Sequence, residues 1–175
     1  MKTRMLTVFV VCLCLSASLC ADDPPMPFTG KVVKVADGDT ITVLFDKTQH
    51  RIRLAGIDAP ESKQAFGTRA RQALADKVFG KEVKVVWKKR DKYKRILGNI
   101  YLDGRWVNKE MVAEGWAWHY RYFSSDRELA KAEAAAKEAK KGLWADADPI
   151  PPWEFRKMKK KNNERRPHHC LLQIC

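Results

Sequence analysis

The chain has 175 residues, a length typical of one globular domain with terminal extensions. An apolar fraction of 45% and six tryptophans can supply one hydrophobic core, which argues against a wholly disordered chain. The formal net charge of +13 favours a polyanionic partner, although a membrane surface or a ribosome would attract the same charge.

Residues 1–21 have the layout of a secretory signal peptide. A basic start with Lys2 and Arg4 precedes an almost wholly apolar run at 6–15, and small residues follow. This run is too short to span a bilayer comfortably, and a lipid anchor at Cys20 is disfavoured because a large residue precedes it. We therefore predict cleavage at the end of this segment, a secreted or periplasmic protein, and no stable membrane association after cleavage.

Removal of this segment changes the charge and the cysteine count. The formal charge becomes 13 minus 2 (Lys2 and Arg4), about +11, which is still strongly basic. Of the five cysteines only Cys170 and Cys175 remain, at the end of the chain. Two cysteines there cannot staple a core, so an oxidising compartment is allowed but not required.

Apolar alternation in the first half of the chain predicts strands. A hairpin is predicted around Asp37-Gly38, with inward positions at Val33, Val35, Ile41, Val43 and Phe45. A third strand is predicted over 51–57. Apolar residues spaced by four then predict a helix that ends near Gly80 and carries Phe66, Ala70, Leu74 and Val78 on one face.

The second half alternates in the same way before it becomes helical. Strands are predicted over 81–87 and 96–102, and Asp103-Gly104 predicts a tight turn. Asn108 is predicted to cap a short helix. The segment Ser125-Asp126-Arg127-Glu128 is typical of a capping box that opens a longer helix, whose apolar face contains Leu129, Ala132, Ala136 and Leu143.

Three strands, a helix, two strands and further helices form the element order of an OB-fold. We therefore predict an α+β protein with a five-stranded β-barrel and three helices. The predicted domain covers 29–146, after a lead-in segment at 22–28. Residues 147–175 contain several prolines and then many basic residues, so we predict a flexible tail that leaves the core. The fold class alone does not define a function.

Two acidic clusters follow predicted strands, Asp37-Gly38-Asp39-Thr40 and Asp58-Ala59-Pro60-Glu61. Each cluster taken alone is more typical of a turn. Together with Arg53 they are more informative, because Asp39 and Asp58 can reach the same end of the barrel. A hard divalent cation needs several oxygen ligands from different parts of a chain, and an arginine fork binds phosphate bidentately.

A second phosphate-binding segment is conceivable at Asp91-Lys92-Tyr93-Lys94-Arg95. Arg95 enters the fifth strand and Tyr93 could meet a base or a phosphate. The alternative is a solvated hairpin loop, which is the better interpretation when this segment is considered alone.

Taken in order, these motifs resemble the staphylococcal nuclease (thermonuclease) family. The resemblance covers Asp37-Gly38-Asp39-Thr40, the segment from Arg53 to Glu61, and Asp91-Lys92-Tyr93 with Arg95, and it extends from about Thr29 to Trp144. An ordered series of motifs is far more specific than a single Asp-Gly-Asp. Three departures are visible: Ala59 replaces a hydroxyl residue, Lys94 replaces a glycine, and the loop after Glu61 is shorter.

The resemblance implies a Ca²⁺ ion held by the carboxylates of Asp39 and Asp58 and by the backbone carbonyl of Ala59, with Asp37 just behind these ligands. It implies that Arg53 and Arg95 hold the phosphate and that Glu61 positions or deprotonates the attacking water. The implied substrate contacts are Lys92, Tyr93, Tyr120 and Tyr122. For Tyr120 and Tyr122, packing against the barrel remains the alternative.

The function that follows is a secreted, Ca²⁺-dependent nuclease acting on DNA, with RNA as a second candidate substrate, and we expect a monomer. The alternative is a non-catalytic OB-fold module that binds nucleic acid, in which Arg53, Glu61 or Arg95 should be missing. All three are present. A cationic membrane-active protein would need a helix with a wide apolar face, whereas 129–143 is alanine-rich and mixed in charge.

Overall fold

A computed structural model describes residues 23–164. The predicted signal peptide, the end of the basic tail and both remaining cysteines lie outside this range. Within it, no helix combines the length and apolar character needed to cross a membrane.

Eight strands are present in the described part of the chain: β1 (Phe28–Asp37), β2 (Thr40–Phe45), β3 (Thr48–Leu54), β4 (Ile57–Asp58), β5 (Glu82–Arg90), β6 (Ile96–Leu102), β7 (Arg105–Trp106) and β8 (Trp118–His119). Strands β3, β2, β1, β5 and β6 are neighbours in that order, and a parallel pairing of β3 with β6 closes them into a barrel. The predicted α+β OB-fold with a five-stranded barrel is confirmed.

Within residues 23–164, four helices accompany the barrel: α1 (Gly67–Val78), α2 (Val107–Ala113), α3 (Arg127–Glu138) and α4 (Pro152–Glu164), with a 3-10 turn at Gly142–Ala145 between the last two. The sequence predicted three helices, one fewer than the described residues contain. The additional helix is α4, which lies in the segment predicted to be a flexible tail.

The barrel interior is filled by the inward residues of alternating strands, among them Ile41, Val43, Val83, Val85 and Trp87, as predicted. Strand β1 differs from the prediction. Val32 is fully buried and Val33 only partly, because the register with β2 shifts between Val32 and Lys34. Such a bulge inserts one residue and reverses which side chains face the core, and periodicity alone does not reveal it.

The predicted third strand also ends earlier than expected. Strand β3 stops at Leu54, and Gly56 turns the chain with a φ of 75°, a left-handed conformation that favours glycine. The next two residues form β4, which pairs with β8 so that Asp58 lies opposite Trp118. This turn directs Asp58 back towards β3 and buries it, with 1% of its surface exposed.

Helix α1 begins one residue later than its apolar face predicted. Ala70, Leu74 and Val78 are buried, but Phe66 is the cap residue before the helix. Gly67 packs against the backbone of the β4–α1 loop, where a Cβ would collide with the carbonyl oxygen of Glu61. The start of α1 therefore holds the Glu61 loop closely.

Asn108 does not cap α2, since that position belongs to Trp106. Asn108 is fully buried and joins the barrel to the helix. Its Nδ2 donates to the carbonyls of Ala55 (2.9 Å) and Gly98 (3.2 Å), and its Oδ1 accepts from the amide of Ile100 (2.9 Å). An amide side chain can donate and accept at once, which suits a site between three backbone segments.

Helix α3 begins one residue later than the predicted capping box. Asp126 is the cap, and its carboxylate accepts from the backbone amides of Glu128 (2.8 Å) and Leu129 (3.2 Å). The apolar face of Leu129, Ala132 and Ala136 is buried as predicted. Leu143 is buried too, but it lies on the 3-10 turn beyond the helix end.

The prediction that the tail leaves the core is wrong for residues 152–164. Helix α4 returns to the domain, and its Trp153 packs against a small second core made of Trp118, Ala136, Leu143 and Trp144. Trp153 stands among prolines and many basic residues, so the composition of this segment resembled that of an extended tail.

Candidate active site

Arg53 is the centre of a buried charge cluster at one end of the barrel. Its Nη1 lies 2.9 Å from Oδ2 of Asp39, and its Nη2 lies 2.7 Å from Oδ1 of Asp58. Nη1 also donates to the carbonyl oxygen of Ile57 at 3.0 Å. One guanidinium therefore holds together two carboxylates that are 19 residues apart in the chain (58 minus 39).

The barrel pairing explains why these residues meet. Arg53 lies opposite Thr40 in the β2–β3 pair, so Asp39, next to Thr40, reaches the same strand end. Asp39 is held from three directions. Its Oδ2 accepts from the amide of Ala59 (2.7 Å), its Oδ1 accepts from the hydroxyl of Thr40 (3.2 Å), and its own amide donates to Oδ1 of Asp37 (3.0 Å).

Burial dominates the electrostatics of Asp39. It raises the pKa of this carboxyl to about 7, and the charges of Asp37 and Asp58 act in the same direction, while Arg53 and the amide of Ala59 oppose them. Burial therefore disfavours the ionised form of Asp39 although Arg53 lies beside it. An additional positive charge would stabilise the ionised form of Asp39.

The oxygen donors present suit a hard divalent cation. Asp39 and Asp58 contribute carboxylates, and Ala59 adds a backbone carbonyl next to Asp58. Residues 23–164 contain no group of three or more His, Cys, Asp or Glu side chains placed to hold a metal. A cation here would therefore complete its shell with carbonyl and water oxygens, a coordination that Ca²⁺ commonly accepts.

Glu61 lies on the loop between β4 and α1, with 43% of its side chain exposed. Its backbone amide donates to Oε1 of Gln64 (3.1 Å), which orders the loop. Its carboxylate is close to the buried pair and open to solvent, as a group that handles water requires.

Arg156 of helix α4 is the unexpected member of the site. Its Nη2 lies 2.7 Å from Oδ2 of Asp58, and its Nη1 lies 2.8 Å from Oε1 of Glu61. Burial alone would lower the pKa of Arg156, but hydrogen bonds to both carboxylates raise it above the ordinary value. Nothing in the sequence marks this arginine, because it stands in a run of basic residues 98 positions after Asp58.

Arg95 lies on the same outer barrel face but has a partner of its own. Ile96 pairs with Ile52, which places Arg95 beside Arg51 and diagonal to Arg53 across the β3–β6 pair. Its Nη2 and Nε are each 2.7 Å from Oδ2 of Asp91. Within the described residues its ion pair is therefore with Asp91, rather than with Asp39 or Asp58.

Asp91 orders the loop that carries Arg95. Its Oδ1 accepts from the backbone amides of Tyr93 and Arg95, both at 2.9 Å. Burial would raise the pKa of Asp91, but the hydrogen bonds and charge from Arg95 and the amide of Tyr93 hold it below the ordinary value. Lys94, where the family pattern has glycine, adopts a left-handed φ of 61°.

The tyrosines singled out from the sequence fall into two groups. Tyr93 is 67% exposed, and the cationic groups of Lys92 and Arg95 lie 5.1 and 5.4 Å from its ring centre. Tyr120 and Tyr122 lie near each other after β8, with ring centres 6.0 Å apart. Neither belongs to the barrel core.

Trp153 of α4 covers this tyrosine pair. Its ring stacks on Tyr120 at 5.5 Å between centres and 11° between planes, and it meets Tyr122 edge-on at 5.9 Å. Trp153 was not foreseen as part of the site. Its position depends on helix α4, which the sequence pattern did not predict.

Comparison with known proteins supports the family that the motifs indicate. The sequence model of the family described as "Staphylococcal nuclease homologue" matches residues 51–146, a range that contains Arg53, Asp58, Glu61 and Arg95. An uncharacterized endonuclease of Escherichia coli is 46% identical over 142 residues, which cover 81% of this chain and 90% of the relative.

Two further relatives extend the match. A micrococcal nuclease of Shigella flexneri is 44% identical over 144 residues, 76% of this chain and 83% of that protein. Protein ParB of Escherichia coli is 40% identical over 177 aligned positions, 95% of this chain and 98% of the relative. The chain belongs to the staphylococcal nuclease family.

Proposed function

We propose that this protein is a secreted, Ca²⁺-dependent nuclease that hydrolyses phosphodiester bonds of DNA, with RNA as a second candidate substrate. The observation that carries the proposal is the bridge from Arg53 to Asp39 and Asp58, with Glu61 on the next loop. Family membership supports a nuclease, and every residue that the resemblance requires is present.

Asp39, Asp58 and the carbonyl of Ala59 would hold the calcium ion. When bound, this ion supplies a positive charge that stabilises the transition state and helps to orient a water molecule. Asp37 contributes indirectly, because its carboxylate accepts the amide of Asp39 at 3.0 Å and so holds that residue in place.

The arginines bind and stabilise the reacting phosphate. Hydrolysis builds negative charge on the phosphoryl oxygens, and fixed guanidinium groups oppose that charge. Arg53 is held in position by backbone carbonyls, and Arg95 is held by Asp91 on the neighbouring strand. Their diagonal placement lets both face one phosphate on the outer barrel surface.

Glu61 acts on the attacking water. Its carboxylate is 43% exposed, so water reaches it, and the ordered loop keeps it near the buried carboxylates. Its carboxylate accepts the hydrogen bond or the proton. General bases placed in this way contribute about 10²- to 10⁴-fold to a rate.

The nucleotide is held by exposed aromatic and basic side chains. Tyr93 and Lys92 offer a ring and a charge on one side, and Tyr120 with Tyr122 offers a second aromatic surface. Stacking tolerates any base, so these contacts suit a nuclease of broad sequence preference. A strongly basic chain also attracts the polyanion over long distances.

The first experiment measures release of acid-soluble fragments from single-stranded DNA, with Ca²⁺ or with a chelator. We expect cleavage only with Ca²⁺, and a loss of at least about 10²-fold in Glu61→Gln. The matched control is Glu138→Gln, an exposed glutamate at the end of α3, which should retain wild-type activity.

A binding assay on the same proteins tests the main alternative. Glu61→Gln should still bind the DNA that it no longer cleaves. Tight DNA binding by the unaltered protein without cleavage in any divalent metal would replace the nuclease by a non-catalytic binding module.

Secretion is tested separately by fractionating cells that express the chain with and without residues 1–21. The complete chain should be found outside the cytoplasm in a shortened form, and the truncated chain should stay inside. Retention of the complete chain at its full mass in the cytoplasm would refute this part of the proposal.

A further inference from the structure

Helix α4 is attached across the mouth of the site at three points. Before the helix, the side chain of Gln64 donates to the carbonyl of Ile150, next to the Glu61 loop. In its first turn, Trp153 lies on Tyr120. One turn later, Arg156 binds Asp58 and Glu61. These contacts place one helix over both the carboxylates and the aromatic surface.

Arg156 occupies the oxygens that a cation would need. Oδ2 of Asp58 is 2.7 Å from Nη2 of Arg156, and Oδ1 already accepts from Arg53 at 2.7 Å and from Arg156 at 3.3 Å. A calcium ion binds carboxylate oxygens at about 2.3–2.6 Å. Arg53 binds Oδ1 and Arg156 binds Oδ2, so Arg156 and a divalent cation compete for the oxygen that Arg53 does not hold.

The same arginine affects Glu61. Its Nη1 lies 2.8 Å from Oε1 of the carboxylate assigned above to the attacking water. A carboxylate oxygen held by a guanidinium has one acceptor position fewer. With α4 in place, Glu61 therefore has one oxygen already engaged by Arg156 where a water molecule would bind.

Trp153 blocks the second half of the site. Its indole lies parallel to the ring of Tyr120, 5.5 Å away and tilted by only 11°. This is the geometry that a nucleobase would adopt on the same tyrosine. The indole thus covers part of one face of the Tyr120 ring, where a base would stack.

From these contacts we propose that α4 is a self-inhibitory strap, which must leave Asp58, Glu61 and Tyr120 before a divalent cation and a nucleotide can occupy them. The inference rests on the proposed nuclease function. It concerns the accessibility of that site, and not the reaction carried out there.

The contacts are suited to a reversible closure. The side chain of Arg156 is 41% exposed, and ion pairs that water can reach are weak. The rest of the helix is polar and strongly basic, with exposed lysines at Lys157, Lys159, Lys160 and Lys161. A nucleic acid would attract these lysines through its phosphates, so the substrate itself favours release of the strap.

The test compares Arg156→Gln with Lys159→Gln, which removes the same charge from an exposed position of the same helix. Calcium affinity is measured by titration calorimetry without nucleic acid. We expect Arg156→Gln to bind Ca²⁺ about tenfold more tightly than the unaltered protein, the scale of two partly exposed ion pairs. Lys159→Gln should stay within about twofold.

Equal calcium affinities in Arg156→Gln and the unaltered protein would overturn the proposal that α4 is a strap. Weaker calcium binding in Arg156→Gln would overturn it as well, because Arg156 would then support the site rather than close it.

A metal-free measurement separates the strap from the calcium proposal. In chelator, the affinity for a short single-stranded oligonucleotide is measured by fluorescence anisotropy. Arg156→Gln should bind more tightly although it has lost a positive charge, whereas Lys159→Gln should bind equally or more weakly. If no protein binds Ca²⁺, the calcium proposal fails and this comparison decides the strap alone. If Arg156→Gln binds the oligonucleotide no more tightly than Lys159→Gln does, the strap proposal is refuted.

Discussion

Asp58 is bound by two arginines that come from different regions of the molecule. Arg53 lies on barrel strand β3, is 13% exposed, and also donates to a backbone carbonyl of its own turn. Arg156 lies on α4 and is 41% exposed. The barrel arginine is part of the folded framework, whereas the helix arginine depends on one peripheral helix. The comparison separates a permanent half of the site from a removable one.

The largest effect is expected from breaking the barrel half with Arg53→Lys. A lysine keeps the charge but cannot bridge two carboxylates or bind phosphate with a fork, so activity at saturating Ca²⁺ should fall by about 10²- to 10³-fold. Initial rates on single-stranded DNA measure this loss. Arg51→Lys, an exposed change on the same strand, should stay near wild type. An equal loss in both variants would show that the effect is not specific to the bridge from Arg53 to Asp39 and Asp58.

Asn108→Ala should lower the free energy of unfolding of the domain. The change leaves the buried amide of Ile100 and the carbonyl of Ala55 without their side-chain partner, at a cost of about 3 kcal/mol. Urea unfolding measures the difference, with the exposed Asn162→Ala as control. A cost below about 1 kcal/mol would mean that water replaces these hydrogen bonds.

Trp153→Ala tests the removable half. The indole is only partly buried, so its loss should cost about 1–2 kcal/mol, less than a core aromatic residue. Activity at limiting Ca²⁺ should be retained or increased, because the strap is loosened. Met158→Ala on the same helix is the control. If Trp153→Ala lowered the free energy of unfolding as much as Asn108→Ala, α4 would be part of the core rather than a removable strap.

The smallest effect is expected at Asp91, which pairs with Arg95, the other arginine proposed to bind phosphate. Asp91→Asn should cost about 1 kcal/mol near neutral pH, a value discounted for exposure of the Asp91–Arg95 pair. Because the folded pKa of Asp91 is lowered, its stabilisation is present above the unfolded pKa and is lost as pH falls through the folded one.

Urea unfolding at pH 7 and near pH 3 therefore tests whether the stabilisation by Asp91 is lost as the pH falls. The difference between Asp91→Asn and the unaltered protein should shrink at the lower pH, while the exposed Asp148→Asn should show little difference at either. A pH-independent difference would point to geometry rather than charge.

Much of the barrel could be predicted from local patterns. Strand β6 runs from Ile96 to Leu102 as alternation indicated, and the face of α1 is buried at Ala70, Leu74 and Val78. The errors fall where one residue changes the pattern, as at the bulge after Val32 and the turn at Gly56. Periodicity reports which face is apolar, but it does not report where the pairing register shifts.

The candidate site shows the same division. Ordered motifs identified the family, and the structure brings Arg53, Asp39 and Asp58 together. The partner of Arg95 was not foreseen, and neither was the part played by Asn108. Both depend on which polar atoms face one another across elements, which residue types alone do not specify.

The sequence by itself determined the family, the barrel and the set of residues proposed for chemistry, because these depend on short motifs and local periodicity. Only the tertiary structure decided that α4 returns to the site and that Arg156 meets Asp58 and Glu61. The physical reason is the large separation of these residues along the sequence. A contact across 98 residues is made by one docked tryptophan and one arginine, and neither leaves a periodic signal in a basic tail.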